Sequence, residues 1–512
     1  MSKNVEPGLA ETKKNKDKPR SKQNGFSAED IMENTNNQEK TSFFDRKFGF
    51  TAKGSSLKTE IVAGITTFLA MAYILIVNAG MFNDLSNVSF DAIYVTTAIS
   101  AIVGTVLIGL LANLPLAQAP GMGLNAFFVY TVCFALGFSY ANALVFVLLD
   151  GIIFILLTVT GLRKIIFEAI PHAVKAAIPA GIGLFIAFLG LQDSGLVIPS
   201  ESTGVTLASF NLLSGSWEKV MPLIVAVISI LLIAVLSVKK VKGSILWGIL
   251  GGAALYYLLG LTVPGFYQNF GEKMSLNPIE PFKAFGKEAF GKVFTEGFDF
   301  TAYLAVEGHS VGGLVIAFIT TSLAFCMVDM FDTMGTLYGA CRSGNLLVDN
   351  GKGELEVPNM ERAMLADAIA TCAGAVLGTS TVTTFVESSS GVAAGGRTGF
   401  SSLVTAGMFL VALFLAPVAK LIPAVAYGAA LVYVGILMIG CVKDIEWSDV
   451  SVAVPAFLTM AIMPFTYNIS YGIAFGLISY VVIRLFSGKV KEIKIGTWVI
   501  TLLFLAMFFL TH

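Results

Sequence analysis

The sequence predicts an all-α polytopic membrane protein of about fourteen transmembrane spans, arranged as two inverted repeats of seven, with short extended segments breaking spans three and ten. Three observations predict it. Of the 512 residues 55% are hydrophobic and 13% charged, with mean hydropathy +0.78, and the apolar residues come in runs about as long as a bilayer is thick. The runs form two sets of seven with internal resemblance. Positive charge is distributed unevenly between the two faces the runs define.

The first set lies near 58–82, 92–112, 115–136, 140–160, 172–191, 219–238 and 243–262. The second lies near 312–336, 361–378, 379–398, 400–418, 421–441, 449–467 and 469–487. ITTFLAM at 65–71 matches ITTSLAF at 319–325, AISAIVGTVL at 98–107 matches AIATCAGAVL at 368–377, and Ile170-Pro171 and Ile422-Pro423 open corresponding spans. An odd number of spans per repeat forces the halves into opposite orientations, the arrangement of many alternating-access transporters. With a cytoplasmic N-terminus, Arg163, Lys164, Lys239, Lys240, Lys242, Arg342, Lys352, Arg397, Lys443, Arg484 and Lys489 fall inside. Segments 83–91, 137–142 and 192–217 fall outside and carry no Lys or Arg, satisfying the positive-inside rule. Segment 263–311 also falls outside, as a long loop containing several lysines.

Residues 1–56 are rich in Lys, Asn, Glu and Ser, lack a signal-peptide run and read as a disordered cytoplasmic tail. TWVITLLFLAMFFL at 497–510, within the terminal segment 488–512, is short for a span and reads as an interfacial or peripheral helix. The net charge of −1 argues against a nucleic-acid partner. Cys133, Cys326, Cys341, Cys372 and Cys441 lack metal-site spacing and read as reduced core residues. No cofactor or metal is expected.

Chemistry concentrates in three stretches. TSTVTTFVESSSG at 379–391 places Glu387 among small hydroxyl residues between two apolar runs. An ionisable group at membrane depth is costly and marks a functional site by default. Thr381, Val382, Thr383, Thr384 and Val386 favour extended backbone, and Ser388 to Gly391 suit a new helix start, so the span reads as broken. Its counterpart, PLAQAPGMGLNAFFVYTV from Pro115, has two further helix-breaking glycines and a second proline before Asn125. Two half-helices then meet head on, offering backbone N–H groups to a ligand. Asn125 offers a donor and an acceptor there; an interhelical hydrogen bond is the other open reading.

In CMVDMFDTMGTL, Asp329 and Asp332 are three apart, on roughly one helix face. Asp367, in the ninth stretch, reads as nearer the cytoplasmic end and paired with Arg362 or Lys352; Asp150 and Glu168 read as local or interfacial charges without a role. Carboxylates facing one cavity resist joint ionisation, so they both bind substrate and take up protons. The set suits a neutral, planar, N–H-rich ligand, with Phe385 available to stack on a ring.

TTFVESSSGVAAGGRTG at 383–399, FDTMGT at 331–336, APGMGLNAFF at 119–128 and GITTFLAMAYI at 64–74 together resemble the azaguanine-type purine permeases of the nucleobase–ascorbate transporter superfamily, over about residues 43–490. The resemblance implies a core domain (57–165 and 312–418) and a gate domain (166–262 and 419–487), a purine enclosed by extended segments in spans three and ten, and a homodimer through the gate domain. It implies Asp332 and Glu387 as substrate-binding carboxylates, Asn125 as the polar contact on span three, and Phe385 and the Val386 backbone against the ring. Uracil-type members carry a proton-coupling histidine four residues after the eighth-span acid; that position here is Thr336, and Asp329 is the expected substitute.

The function expected is proton-coupled import of hypoxanthine and guanine across the cytoplasmic membrane, with an adenine-preferring permease of the same fold as the alternative. An anion transporter on this scaffold predicts a basic or neutral eighth-span site. An intramembrane aspartyl protease requires a GxGD-like string, and none is present, so no enzymatic activity is expected.

Overall fold

A computed structural model describes residues 43–161, 170–213, 215–267, 277–306, 310–349 and 355–510. Residues from Phe48 onward form one compact unit; the preceding unit is described only for residues 43–47, which begin a short helix, Phe43–Phe48. Residues 43–56, within the segment expected as a tail, are described and open on this helix. Phe48 and Phe50 are buried, with ring centroids 5.9 and 6.1 Å from that of Phe400.

The first repeat runs through α1 (Leu57–Met71), α2 (Ile74–Phe82), α3 (Phe90–Leu111), β1 (Gln118–Pro120), α4 (Met122–Ala126, continuing as a π-helix over Phe127–Ala135), α5 (Tyr140–Thr160), α6 (His172–Asp193), α7 (Trp217–Val238) and α8 (Ser244–Gly260). The second comprises α9 (Val311–Ser343), α10 (Met360–Leu377), β2 (Val382–Thr384), α11 (Ser388–Ala393), α12 (Gly399–Ala412), α13 (Ala424–Ile439), α14 (Val450–Thr466) and α15 (Ile469–Phe486); a last helix, α16 (Ile495–Leu510), follows. Among the described residues, nine helices are long and apolar enough to cross a membrane. Their starts follow ordinary capping chemistry. Ser56, Ser89, Ser139, Ser310, Thr398 and Asp449 each accept a backbone N–H of the helix they open. Large apolar side chains on α7, such as Leu231 and Val238, are exposed, as a lipid-facing surface requires.

The helices pack in two groups. The α1–α5 helices pack with α9–α12, and α6–α8 pack with α13–α15. Pro171 and Pro423 cap α6 and α13, bearing out the corresponding span openings. These two helices cross at glycines: a Cβ on Gly190 would lie 2.6 Å from the Gly428 oxygen, and one on Gly183 would lie 2.8 Å from that of Gly435. Only backbone without side chains permits this approach.

Both predicted breaks are present. β1 and β2 pair antiparallel, Gln118 with Thr384, Ala119 with Thr383 and Pro120 with Val382, and every residue of both strands is buried. Non-helical backbone is tolerated there because the two repeats satisfy each other's polar groups.

Residues 277–306 of the 263–311 loop are docked on the core: Gly291 N–H donates to Val376 O (2.8 Å), Asn142 Nδ2 donates to Gly297 O (2.8 Å), and the Phe138 and Tyr303 rings stack at 4.2 Å. Three expectations need correction. The eighth-span helix continues to Ser343, past the expected end at 336. Asp367 makes no ion pair with Arg362 and is buried among hydroxyl and amide donors; Lys352, its other expected partner, lies outside the described residues. Asp150 is not interfacial but fully buried. Glu168, Arg163 and Lys164 also lie outside the described residues. The α16 helix, about 24 Å long at 1.5 Å per residue, packs against α9 and α15.

Candidate functional site

The strand pair sets the site. Phe385 N–H donates to Ala117 O and Gly121 N–H to Thr381 O, both at 3.0 Å, extending the pairing beyond the strands. Ala117 N–H donates to Ser388 Oγ (3.0 Å), which ties the start of α11 to the first repeat. Beneath the pair, Gln118 Nε2 donates to Asp367 Oδ1 (3.0 Å) and Thr333 Oγ1 to Asp367 Oδ2 (2.8 Å), so one buried carboxylate anchors β1 and α9 together. Glu387 is left at the N-cap of α11, half-buried, at the end of a rigidly held segment.

Glu387 and Asp332 line one cavity of about 830 Å³. The core group contributes Thr66, Phe331, Thr336 and Val386; the other group contributes Pro179, Tyr433, Met438 and the loop carrying Lys240 and Lys242. Tyr73, at the break between α1 and α2, donates its hydroxyl to Glu387 Oε1 at 2.6 Å. Lys242 Nζ donates to Thr66 Oγ1 at 3.3 Å, across the seam between the two groups. An acceptor pair walled by apolar and aromatic side chains suits a flat ligand that presents N–H groups.

The other predicted residues are placed differently. Val386 is exposed to the cavity, whereas Phe385 is buried and lies outside its lining. Asn125 is buried away from the cavity, its Nδ2 donating to Pro120 O (3.3 Å) and its Oδ1 accepting from Ser380 Oγ, so the side chain joins the two broken segments. Thr336 lines the cavity, but its hydroxyl donates to Asp332 O (2.7 Å) of its own helix. Asp329 turns inward and is fully buried. The half-helix starts offer less free backbone than expected, because the amides of Gly121, Ser388, Ser389 and Ser390 all donate within the protein.

Sequence reasoning missed Tyr73, Gln118, Lys242 and Tyr433. A tyrosine and a glutamine inside apolar runs are visible signals, but their partners lie 314 and 249 residues away.

Residues 58–475 match the model of the Xan_ur_permease family, described as "Permease family", the nucleobase–ascorbate transporters. The chain belongs to this family. Among similar permeases, the guanine/hypoxanthine permeases PbuG and PbuO of Bacillus subtilis are 39% and 38% identical, covering 89% and 90% of this chain and 98% and 100% of their own. The adenine permease AdeP of Escherichia coli is 32% identical over 90% of this chain and 95% of its own. The transmembrane domain of a cyanobacterial bicarbonate transporter, BicA, superposes on this permease with TM-score 0.52 at 15% identity, covering 83% of this chain and 97% of that one. The murine anion transporter Slc26a9, in its inward-facing state, gives 0.58 at 10% identity, covering 91% and 74%. These structures show the fold, a core and a gate domain. At such identity they say nothing of the ligand.

Proposed function

We propose that this permease imports hypoxanthine and guanine by proton symport across the cytoplasmic membrane, and that the purine lies between Asp332 and Glu387. The observation that carries the reading is that these two carboxylates face one cavity edged by the exposed Val386 segment, with Lys240 and Lys242 on the loop at its rim. Each carboxylate accepts adjacent N–H groups of a 6-oxopurine, and neutral substrate avoids the repulsion that an anion would meet there. The names of the Bacillus relatives support 6-oxopurines.

Adenine is the second reading, favoured by the likeness to AdeP. Selection between O6 and an exocyclic amine turns on one or two hydrogen bonds, about 1–3 kcal/mol. Lys239, Lys240 and Lys242, on the loop at the cavity, support a cytoplasmic mouth and with it an inward-facing conformation. Proton coupling is assigned to acidic side chains rather than to Thr336, whose hydroxyl does not titrate.

Competition against labelled hypoxanthine uptake by guanine, adenine, xanthine and uracil, in cells lacking other purine permeases, tests the substrate. Guanine is expected to compete most strongly. Uptake indifferent to every nucleobase refutes the reading, and stronger competition by adenine selects the second one. A protonophore is expected to abolish accumulation; dependence on Na⁺ instead contradicts the coupling assignment.

A further inference from the structure

Behind the cavity, the core group holds three carboxylates that do not touch the proposed purine site. Asp150 comes from α5, Asp329 from α9 and Asp367 from α10, and all three are fully buried. Asp367 is well supplied with donors: Gln118 Nε2 on Oδ1 and the Thr333 hydroxyl on Oδ2. Asp150 accepts only a long bond from Thr381 Oγ1 (3.4 Å) on Oδ2, and its Oδ1 has no donor. Asp329 is more extreme: both of its oxygens are shut off from solvent and neither makes a well-formed hydrogen bond, because the neighbouring Thr333 hydroxyl is engaged with Asp367 Oδ2 and Thr383 Oγ1.

The charged groups that face Asp329 are all acidic: Asp367, Asp150 and, toward the cavity, Asp332. Cys326, one turn earlier on α9, faces both Asp150 and Asp329. Among the described residues no ion pair reaches any of the three carboxylates, and no grouping of side chains is arranged to hold a metal ion. A buried carboxylate with no well-formed hydrogen bond and only anions for neighbours is stable only when something positive reaches it. The cation small enough for a closed site of this kind is the proton itself, which turns one bare oxygen into a hydroxyl donor.

We propose that Asp329, backed by Asp150, is the site that carries the coupling proton, inside the core and separate from the Asp332–Glu387 pair that binds the purine. This rests on the purine–proton reading above and locates its proton. The route of influence is short. Thr333, one turn after Asp329, has its hydroxyl 2.8 Å from both Asp367 Oδ2 and Thr383 Oγ1, and Thr383 lies in the strand that leads to Glu387. Asp332 follows Asp329 on the same helix. An O–H bond forms at Asp329 when the proton enters from one side and breaks when it leaves on the other; nothing else in the cluster changes composition.

The test uses the full-length protein in proteoliposomes with wild type, Asp329→Asn and Asp150→Asn, reading labelled hypoxanthine binding, counterflow exchange, and the proton-to-hypoxanthine ratio from the reversal potential. The Asn variant keeps a permanent polar donor where the proposal places a protonated carboxyl. Asp329→Asn is expected to bind hypoxanthine within about threefold of wild type and to exchange it, while losing accumulation driven by a pH gradient and dropping the ratio from one proton to none. Asp150→Asn is expected to shift the pH at which coupled uptake is half-maximal by at least about one unit. Unchanged accumulation and an unchanged ratio in Asp329→Asn overturn the proposal. If Asp329→Asn does not fold, Asp329→Glu replaces it: retained coupling with a shifted pH midpoint supports the site, and an unshifted midpoint overturns it. Wild type that fails to bind hypoxanthine overturns the purine reading and this proposal together, whereas normal binding with unaltered coupling in the variants overturns this proposal alone.

Discussion

Tyr73 holds Glu387 by one short hydrogen bond, 2.6 Å from phenol to carboxylate, and that contact orients the carboxylate. A bond to a charged acceptor contributes about 1.5–3 kcal/mol, part of which water recovers in an open cavity. Tyr73→Phe is therefore expected to weaken hypoxanthine binding about tenfold without changing the amount of folded protein, read by equilibrium binding on purified protein. Asn125 is expected to behave differently. Its side chain joins Pro120 to Ser380 instead of facing the cavity, so Asn125→Ala should lower the melting temperature of detergent-solubilised protein, by the equivalent of about 1–3 kcal/mol. A selective loss of substrate affinity at unchanged melting temperature would restore the ligand role that the resemblance implied. Glu387 was legible in the sequence because a charge in an apolar run has few structural explanations. Asn125 was not, since an amide serves a ligand and an interhelical bond with the same atoms.

At the scale of elements, the antiparallel pair β1–β2 is the device that lets two broken spans meet without stranding their backbone polar groups. Its room is set by small residues on α3. A Cβ on Gly104 would fall 2.9 Å from Val382 Cγ1 and 3.0 Å from Gln118 Cβ, so both strands pack directly against helix backbone. Gly104→Val is expected to push α3 off the pair, costing about 1–3 kcal/mol by overpacking. Because the pair positions Val386 and Glu387, hypoxanthine affinity should fall with stability, measured as melting temperature and binding on the same preparation. The breaks themselves were readable from proline, glycine and β-branched composition. Their register was not, because it joins positions about 265 residues apart in sequence, and single-sequence reasoning carries no information on such pairings. The same limit hid the anchoring of Asp367 by Gln118 and Thr333, in place of which an ion pair with Arg362 or Lys352 was expected.

From Phe48 onward the described helices form two groups, and both groups line the cavity together with the loop that carries Lys240 and Lys242. The repeat strings and the paired Ile-Pro starts made the two halves legible, and the helices those prolines open, α6 and α13, approach closely at glycines. The docked segment 277–306 was not foreseen, because polar loop composition gives no sign of the core contacts that Asn142 and Tyr303 make. A native thiol reports the direction of opening. Cys441 lines the cavity, so a membrane-impermeant maleimide should label it in inside-out vesicles and not in right-side-out ones. Hypoxanthine should slow that labelling, and Cys441→Ser should remove it. The central claim, a purine held between Asp332 and Glu387, is tested most directly by saturation binding of labelled hypoxanthine to purified wild type, Asp332→Asn and Glu387→Gln. Loss of two charge-assisted hydrogen bonds is worth about 3 kcal/mol, or roughly a hundredfold in Kd. The account predicts saturable binding to wild type and at least that loss in each folded variant; wild-type affinity in either variant would contradict it.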